Sequence, residues 1–331
     1  MKTESAHPLL SVVVPVYDEE AVLPEFHRRL TAVLSGIEGT CEVVYVNDGS
    51  HDGTGVLLSR LYQDDPQVAL VNLSRNFGKE IAMSAGLDHA RGEAVVMIDS
   101  DLQDPPELIP ELMVHWRKGF DVVYATRASR VGETVAKKFT SRQFYWVMRR
   151  VFGIQVPPDT GDFRLLSRRG VDALCQLRER HRFMKGLFSW IGYPQTSVPY
   201  HRDARFAGET KYSYWTLWNF AIEGVTSFTT APLKVASYLG LTSAAAAFLY
   251  VSWIFYKTLR FGDPVAGYPS LMVVVLFLGG IQLATLGIIG EYLGRVFNET
   301  KHRPLYLIEA YQAPRQEQPS HSTRDRKTGH A

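Results

Sequence analysis

Asp99 and Asp101 stand two residues apart, directly after the apolar run AVVMI. Two carboxylates at that spacing offer hard oxygen ligands to a divalent cation. Magnesium commonly takes one or two carboxylates and fills its shell with phosphate oxygens and water. The pair therefore suits a metal that neutralises a diphosphate leaving group. Gln103 is two residues further on and within reach of the same point. An isolated Asp-x-Asp is more often a solvated turn; the strand before it and LQDPPE after it favour the metal.

Three other polar clusters follow apolar runs. Tyr17-Asp18-Glu19 comes after LLSVVVPV, Asn47-Asp48-Gly49-Ser50 after EVVYV, and Ser74-Arg75-Asn76 after VALVNL. A carboxylate at a strand end can accept from a nucleobase N–H or a ribose hydroxyl, which makes Asp48 and Glu19 nucleoside candidates. Glu19 can equally be a first-turn helix charge favoured by the dipole. Pro15 and Tyr17 could wall a base pocket. Gly78 opens a helix after NLSRNF, where backbone can approach a substrate closely. No GxGxxG follows the first strand and no GxxxxGK[ST] occurs, so dinucleotide and P-loop readings lose their support.

These clusters need elements to hold them. The pattern predicts strands at 9–16, 42–46, 68–73, 94–98 and 122–125, with helices at 19–34, 56–63 and 79–90 between them. Such alternation builds a mostly parallel sheet flanked by helices, an α/β fold whose ligands bind beyond the C-terminal strand ends. Four clusters would then share one rim.

The 331-residue chain carries 36 Lys+Arg against 34 Asp+Glu, a net charge of +2, so a general nucleic-acid binder is not expected. With 46% hydrophobic and 21% charged residues it is not a disordered chain. Cys41 and Cys175 form no CxxC, which argues against a zinc site or a disulfide framework. The opening MKTESAHPLL has no long apolar region, so no secretory signal is expected.

Residues 235–256 form an uncharged run of 22, and 264–290 one of 27. About 20 apolar residues span a bilayer core, so the two runs predict a C-terminal two-helix transmembrane hairpin. Lys211 and Lys234 before it, and Arg295, Lys301 and Arg303 after it, weakly favour both termini in the cytoplasm. Gly279, Gly280, Gly287, Gly290 and Gly294 give the second span a small-residue face, which allows packing within the hairpin or in a homo-oligomer, a tetramer being plausible. The expected organisation is a cytoplasmic catalytic domain at 1–210, a juxtamembrane amphipathic segment at 211–232, spans at 233–258 and 265–292, and a tail at 293–331. Residues 313–331 of that tail read as disordered.

PVYDEE, VNDGS, NLSRNFGKE, AVVMIDSDLQDPPE, DTGDFRLLSR and RFAGETKYS, in this order, resemble a family 2 glycosyltransferase with the GT-A fold. Within that family the chain is similar to the polyprenyl-phosphate glycosyltransferases, the dolichol-phosphate mannose synthases and bactoprenol (undecaprenyl-phosphate) glucosyltransferases. Asn47 departs from the family's first aspartate at that place, and the QxxRW of processive synthases is absent. The resemblance implies inverting transfer of one hexose, glucose from UDP-glucose, to undecaprenyl phosphate at the inner membrane, for cell-envelope glycan modification. Mannose, aminoarabinose or a different membrane lipid are the alternatives, and a non-catalytic nucleotide-sugar scaffold is the reading from another class. Asp99, Asp101 and Gln103 would hold Mg²⁺ or Mn²⁺ against the diphosphate. The nucleotide sugar itself would be bound by Pro15, Tyr17, Glu19, Asp48, Arg75, Asp99, Ser100, Gln103, Arg205 and Lys211.

By the same resemblance Arg127, Lys138 and Ser141 cradle the acceptor phosphate, and Asp159 matches the acidic residue near the acceptor as base or orienter. Asp162, paired with Arg164, is the other candidate. A phosphate monoester is largely ionised near neutral pH, so it needs positioning more than deprotonation. The basic and aromatic stretch 133–153 suits an interfacial helix at anionic lipid, or a plain solvated one. Arg205 and Lys211 flank a Gly-containing loop that could close over the diphosphate, or else contact lipid.

Overall fold

The computed structural model describes residues 7–127, 160–180, 182–200, 230–261 and 267–315. Strand and helix alternate through β1 (Leu10–Val16), α1 (Leu23–Leu34), β2 (Cys41–Asn47), α2 (Thr54–Asp64), β3 (Val68–Leu73), α3 (Lys79–His89) and β4 (Ala94–Met97). A 3-10 turn (Pro106–Leu108) and α4 (Ile109–Arg117) lead into β5 (Val122–Arg127). Then come β6 (Thr160–Ser167), α5 (Arg168–Gln176), α6 (Met184–Trp190) and β7 (Gln195–Tyr200). Two long helices, α7 (Ala231–Phe261) and α8 (Tyr268–Thr300), precede β8 (Ile308–Gln312).

All eight strands join one sheet, in the order β7-β5-β6-β4-β1-β2-β3-β8. The central run β3-β2-β1-β4 is parallel, as is β5-β7, while β6 is antiparallel to both its neighbours and β8 to β3. The β-branched runs explain the layering. On β1, Val12, Val14 and Val16 join one core with Phe26 and Leu30 of α1, while Val13 joins the opposite core with Ala82 and Met83 of α3. A sheet buried on both faces needs apolar residues at successive positions, and β1 and β2 supply them. Helix α3 lies close on the sheet: a Cβ on Gly86 would come within 2.2 Å of Val13 Cγ1.

Three strands go beyond the five expected. Strand β6 (TGDFRLLS) hides its pattern behind a glycine and two charges, although Phe163, Arg164, Leu165 and Leu166 are all buried. Helix α1 starts at Leu23 rather than residue 19, with Pro24 in the first turn, where its missing N–H costs nothing. At the C-terminus, 293–300 continue α8, and part of the expected tail returns to the catalytic sheet. Ser74 N–H donates to Leu307 C=O at 3.0 Å, and Tyr306 OH donates to Asp88 at 2.7 Å. Residues 313–315, expected to be disordered, sit on α2: Tyr62 OH donates to Ala313 C=O at 3.2 Å and the Arg315 guanidinium lies over the Tyr62 ring.

Helices α7 and α8 contact each other. They are long and apolar enough to cross a membrane, and their most apolar stretches are not buried. Phe248, Leu249 and Trp253 on α7 and Phe277, Leu283 and Leu286 on α8 are exposed.

The N-terminal ends of the central strands are locked by a buried charge. Glu42, 2% exposed, accepts from Ser11 Oγ at 2.6 Å and from Arg91 through Nη2 at 2.6 Å, Nε at 2.9 Å and the backbone N–H at 2.7 Å. Glu42→Ala leaves these donors without their acceptor. It should cost about 3 kcal/mol or more and lower the Tm of the detergent-solubilised protein by roughly 6–12 °C, measured by thermal unfolding.

Candidate active site

The carboxyl ends of β1, β2, β3 and β4 carry the four polar clusters onto one rim, and strand β6 adds a fifth. Its antiparallel register pairs Met97 with Arg164. Asp99 stands two residues after Met97, just past β4, and Asp162 two residues before Arg164 on β6, so the antiparallel pairing brings the two carboxylates together.

A lysine bridges them. Lys79 Nζ donates to Asp99 Oδ2 at 2.7 Å and to Asp162 Oδ2 at 2.5 Å. Lys79 is the first residue of α3, at the helix end that repels cations, so its position depends on these two carboxylates. Asp162 is therefore paired with Lys79. The expected partner, Arg164, donates instead to the carbonyls of Gly161 at 2.8 Å and Asp162 at 3.4 Å, and its guanidinium stacks on the Phe188 ring at 3.6 Å. The other oxygen of Asp162 is buried without a hydrogen-bond partner.

The charges are unequally held. Burial works against ionisation of Asp162, yet Lys79, Lys185 and Arg164 together hold it below the usual carboxylate range. Burial pushes Asp99 up to about 6; Lys79 opposes that shift, and Asp162 and Asp104 reinforce it. Of the pair on Lys79, Asp162 keeps its charge more firmly because three cations surround it. Glu80 accepts from Met184 N–H at 3.0 Å, and burial followed by repulsion from Asp162 pushes it up to about 7.

Asp48 lies beneath the rim, 3% exposed. Its two oxygens accept the backbone N–H groups of Phe77 at 2.7 Å and Gly78 at 2.9 Å. It thereby fixes the loop that launches α3. Gly78 has φ 95° and gives its N–H to Asp48. Gly49, at φ 67°, passes so near this loop that a Cβ would meet the Arg75 backbone at 2.5 Å. Asn47 donates to Asn72 at 3.0 Å and accepts from Ser50 N–H at 3.0 Å, tying the β2 and β3 ends together.

Tyr17 is 36% exposed and meets His51 edge-on, with ring centroids 6.4 Å apart. Asp18 accepts from His51 N–H at 2.8 Å, and Glu19 N–H donates to Thr54 Oγ1 at 3.0 Å. Glu19 sits in the turn before α1, four residues ahead of its first residue. Pro15 is within β1, opposite Val46. Arg75 is exposed, with its guanidinium 4.1 Å from the Phe77 ring centre. Ser100 is buried, and Asp101, half-buried, accepts Gln103 N–H at 3.1 Å. Arg127 closes β5. Lys138, Ser141, Asp159, Arg205 and Lys211 lie outside the described residues, as does most of the juxtamembrane segment.

The donor set fits a magnesium-type ion. Among the described residues no three His, Cys, Asp or Glu side chains gather as a metal cage. Asp99 and Asp101 offer two carboxylates on a polar rim, which leaves the remaining positions to phosphate oxygens and water. The sequence pattern does not single out Lys79, Glu80 or Asp104, which the structure places beside the acidic pair. Asp104 is 3% exposed and accepts from Tyr200 OH across the sheet edge. Lys79 did leave a trace, because a lysine at the first position of a helix is a local conflict of the kind that marks functional sites.

Glu80 offers a titration test. A carboxylate whose folded pKa is raised gives stability that is present at low pH and lost as pH rises through the folded value, here about 7. Glu80→Gln keeps an acceptor for Met184 and removes that loss. The variant should melt several degrees above the wild type at pH 8, with the gap closing towards pH 5, followed by thermal unfolding across that range.

Two family models match the chain: Glycosyl transferase family 2 over residues 11–175, and the GtrB C-terminal hairpin over 231–296. A glycosyltransferase of Synechocystis sp. is 56% identical over 299 residues, 90% of this chain and 94% of the relative. The bactoprenol glucosyl transferase of Shigella phage SfV is 46% identical over 300 residues, 91% of this chain and 98% of the relative. A prophage bactoprenol glucosyl transferase homolog of Escherichia coli K12 is 45% identical over 91% of this chain and 98% of its own length. Among solved structures, glucosyl-3-phosphoglycerate synthase of Mycobacterium tuberculosis superposes with a TM-score of 0.45 at 20% identity, over 66% of this chain and 78% of that one. Sharing about half its residues with such glycosyltransferases along nine-tenths of its length, this chain belongs to glycosyl transferase family 2, an enzyme whose catalytic domain is followed by a GtrB C-terminal hairpin.

Proposed function

We propose that this enzyme transfers a single glucose from UDP-glucose to a polyprenyl phosphate, undecaprenyl phosphate in a bacterial membrane, with inversion at the anomeric carbon. The observation that carries the reading is the joining of two parts in one chain. An acidic rim, with Asp99 and Asp101 at a strand end, precedes a pair of long apolar helices that expose their apolar surface. The relatives named bactoprenol glucosyl transferase match this chain across both parts.

In this reading an oxygen of the acceptor phosphate attacks the anomeric carbon as the bond to the nucleoside diphosphate breaks. The leaving diphosphate takes the electron pair. A divalent ion, Mg²⁺ or Mn²⁺, supplies charge neutralisation on that diphosphate when bound. Asp99 and Asp101 would hold it, with Gln103 beside them. The acceptor is already ionised near neutral pH, so no strong base is required. Asp162, held charged by its cations, then serves to orient rather than to take a proton, and Asp159 is the other acidic candidate. Arg127, Lys138 and Ser141 would position the acceptor phosphate, while Arg205 and Lys211 would screen the departing diphosphate. Tyr17 and Pro15 border the base side of the rim. The hairpin would keep the domain at the cytoplasmic face, where a water-soluble donor and a membrane-bound acceptor meet.

The test is a donor screen with the full-length protein in detergent and undecaprenyl phosphate, with products read by mass spectrometry. UDP-glucose should give the lipid monophosphate hexose. Excess EDTA should stop turnover, and Asp101→Ala should lower kcat by about a hundredfold or more without lowering Tm. Full turnover in EDTA would remove the metal from the proposal. A reporter fused after Ala331 should read as cytoplasmic; a periplasmic signal would place donor and site on opposite sides.

A further inference from the structure

The bridge between Asp99 and Asp162 points beyond that reading. We infer that Lys79 is a tethered cation that shares Asp99 with the donor-bound metal, so that metal loading transfers Lys79 wholly to Asp162. The inference rests on the metal assignment to Asp99 and Asp101 made above.

Three observations carry it. First, Lys79 Nζ holds Asp99 Oδ2 at 2.7 Å, so the carboxylate assigned to the metal already carries a cation. Second, Lys79 has a second carboxylate to retain. Asp162 Oδ2 is 2.5 Å away, and Lys185 and Arg164 keep Asp162 charged. Third, the backbone under Lys79 is fixed. Asp48 grips the N–H groups of Phe77 and Gly78, the two residues before it, so a change of partner falls to the flexible lysine stem. The Lys79 side chain as a whole is 40% exposed.

A divalent ion and an ammonium on one carboxylate oxygen repel each other strongly. Asp99 therefore exchanges one for the other, and the displaced lysine stays with Asp162. Two consequences follow. Lys79 keeps Asp99 and Asp162 from repelling each other before the donor arrives. After the donor arrives with its metal, Asp162 carries a fully paired lysine beside the site of attack. Lys79 is thus a positioning residue that links metal occupancy at one carboxylate to the state of another.

The experiment measures Mn²⁺ affinity, without nucleotide, on the full-length protein in detergent, from the loss of the free-ion EPR signal. Lys79→Met should bind Mn²⁺ on the order of tenfold more tightly than wild type, because a competing cation has gone. Lys185→Met removes a nearby charge that does not touch Asp99 and should tighten binding far less. Asp162→Asn should weaken Mn²⁺ binding in the wild type, since Lys79 then settles on Asp99. In the Lys79→Met background the same change should have a much smaller effect, a non-additivity that a purely structural lysine would not produce. Lys79→Arg should return the affinity towards wild type. If Lys79→Met shows no cooperative melting, Lys79→Gln carries the same expectation. The inference is overturned if wild type binds Mn²⁺ and Lys79→Met binds it no more tightly than Lys185→Met does, and the metal reading then stands. If neither wild type nor Lys79→Met binds Mn²⁺ and Asp101→Ala changes nothing, both fall together.

Discussion

Asp99 and Asp162 face each other because β6 runs antiparallel beside β4, and two carboxylates so close need a cation between them. Lys79 supplies it, and much of the local architecture serves to deliver that ammonium. Asp48 is buried to clamp Phe77 and Gly78, Gly49 has no side chain so that the clamped loop can pass, and Gly86 lets α3 lie against β1. Replace the lysine by a neutral residue and the rim holds like charges at short range, with Glu80 and Asp104 nearby adding to them. The site is thus an arrangement of mutual dependence: the acids fix the lysine against an unfavourable helix dipole, and the lysine lets the acids converge.

The parallel half of the sheet was legible in the sequence because each of its strands is a short apolar run ended by a polar cluster. Residues 68–73 were bounded correctly, and the acidic pair after β4 announced itself by position. The strands after β5 were not legible. Strand β6 buries an arginine by stacking it on Phe188, so a hydrophobic pattern cannot find it, and β7 has exposed residues at alternate places. Without β6 the sequence offers no reason to bring Asp162 to Asp99, and Arg164 two residues away looks like the natural partner. Lys79 was hidden for the same reason, since its meaning depends on both carboxylates. Strand β8 escaped notice because a strand of Ile308–Gln312 separated by two long helices from its partner has no local signal at all.

The chain that follows the two long helices ties them to the domain that carries the rim. Tyr306 reaches Asp88 at the end of α3, the helix that Lys79 begins, and Arg178 holds the same carboxylate at 2.7 Å. Arg180 N–H donates to Glu299 near the end of α8 at 2.8 Å. The helix that presents the bridging lysine is therefore tied at its far end to the segment that leaves the long helices.

Strand β8 carries a consequence for how the molecule is made. It covers the open edge of β3, but it is synthesised after both α7 and α8. During translation the catalytic sheet must wait with an unpaired edge while the two apolar helices emerge. An exposed edge strand is a template for wrong pairing. Any delay in placing the helices prolongs that exposure, so the quality of the catalytic sheet is tied to how quickly α7 and α8 settle.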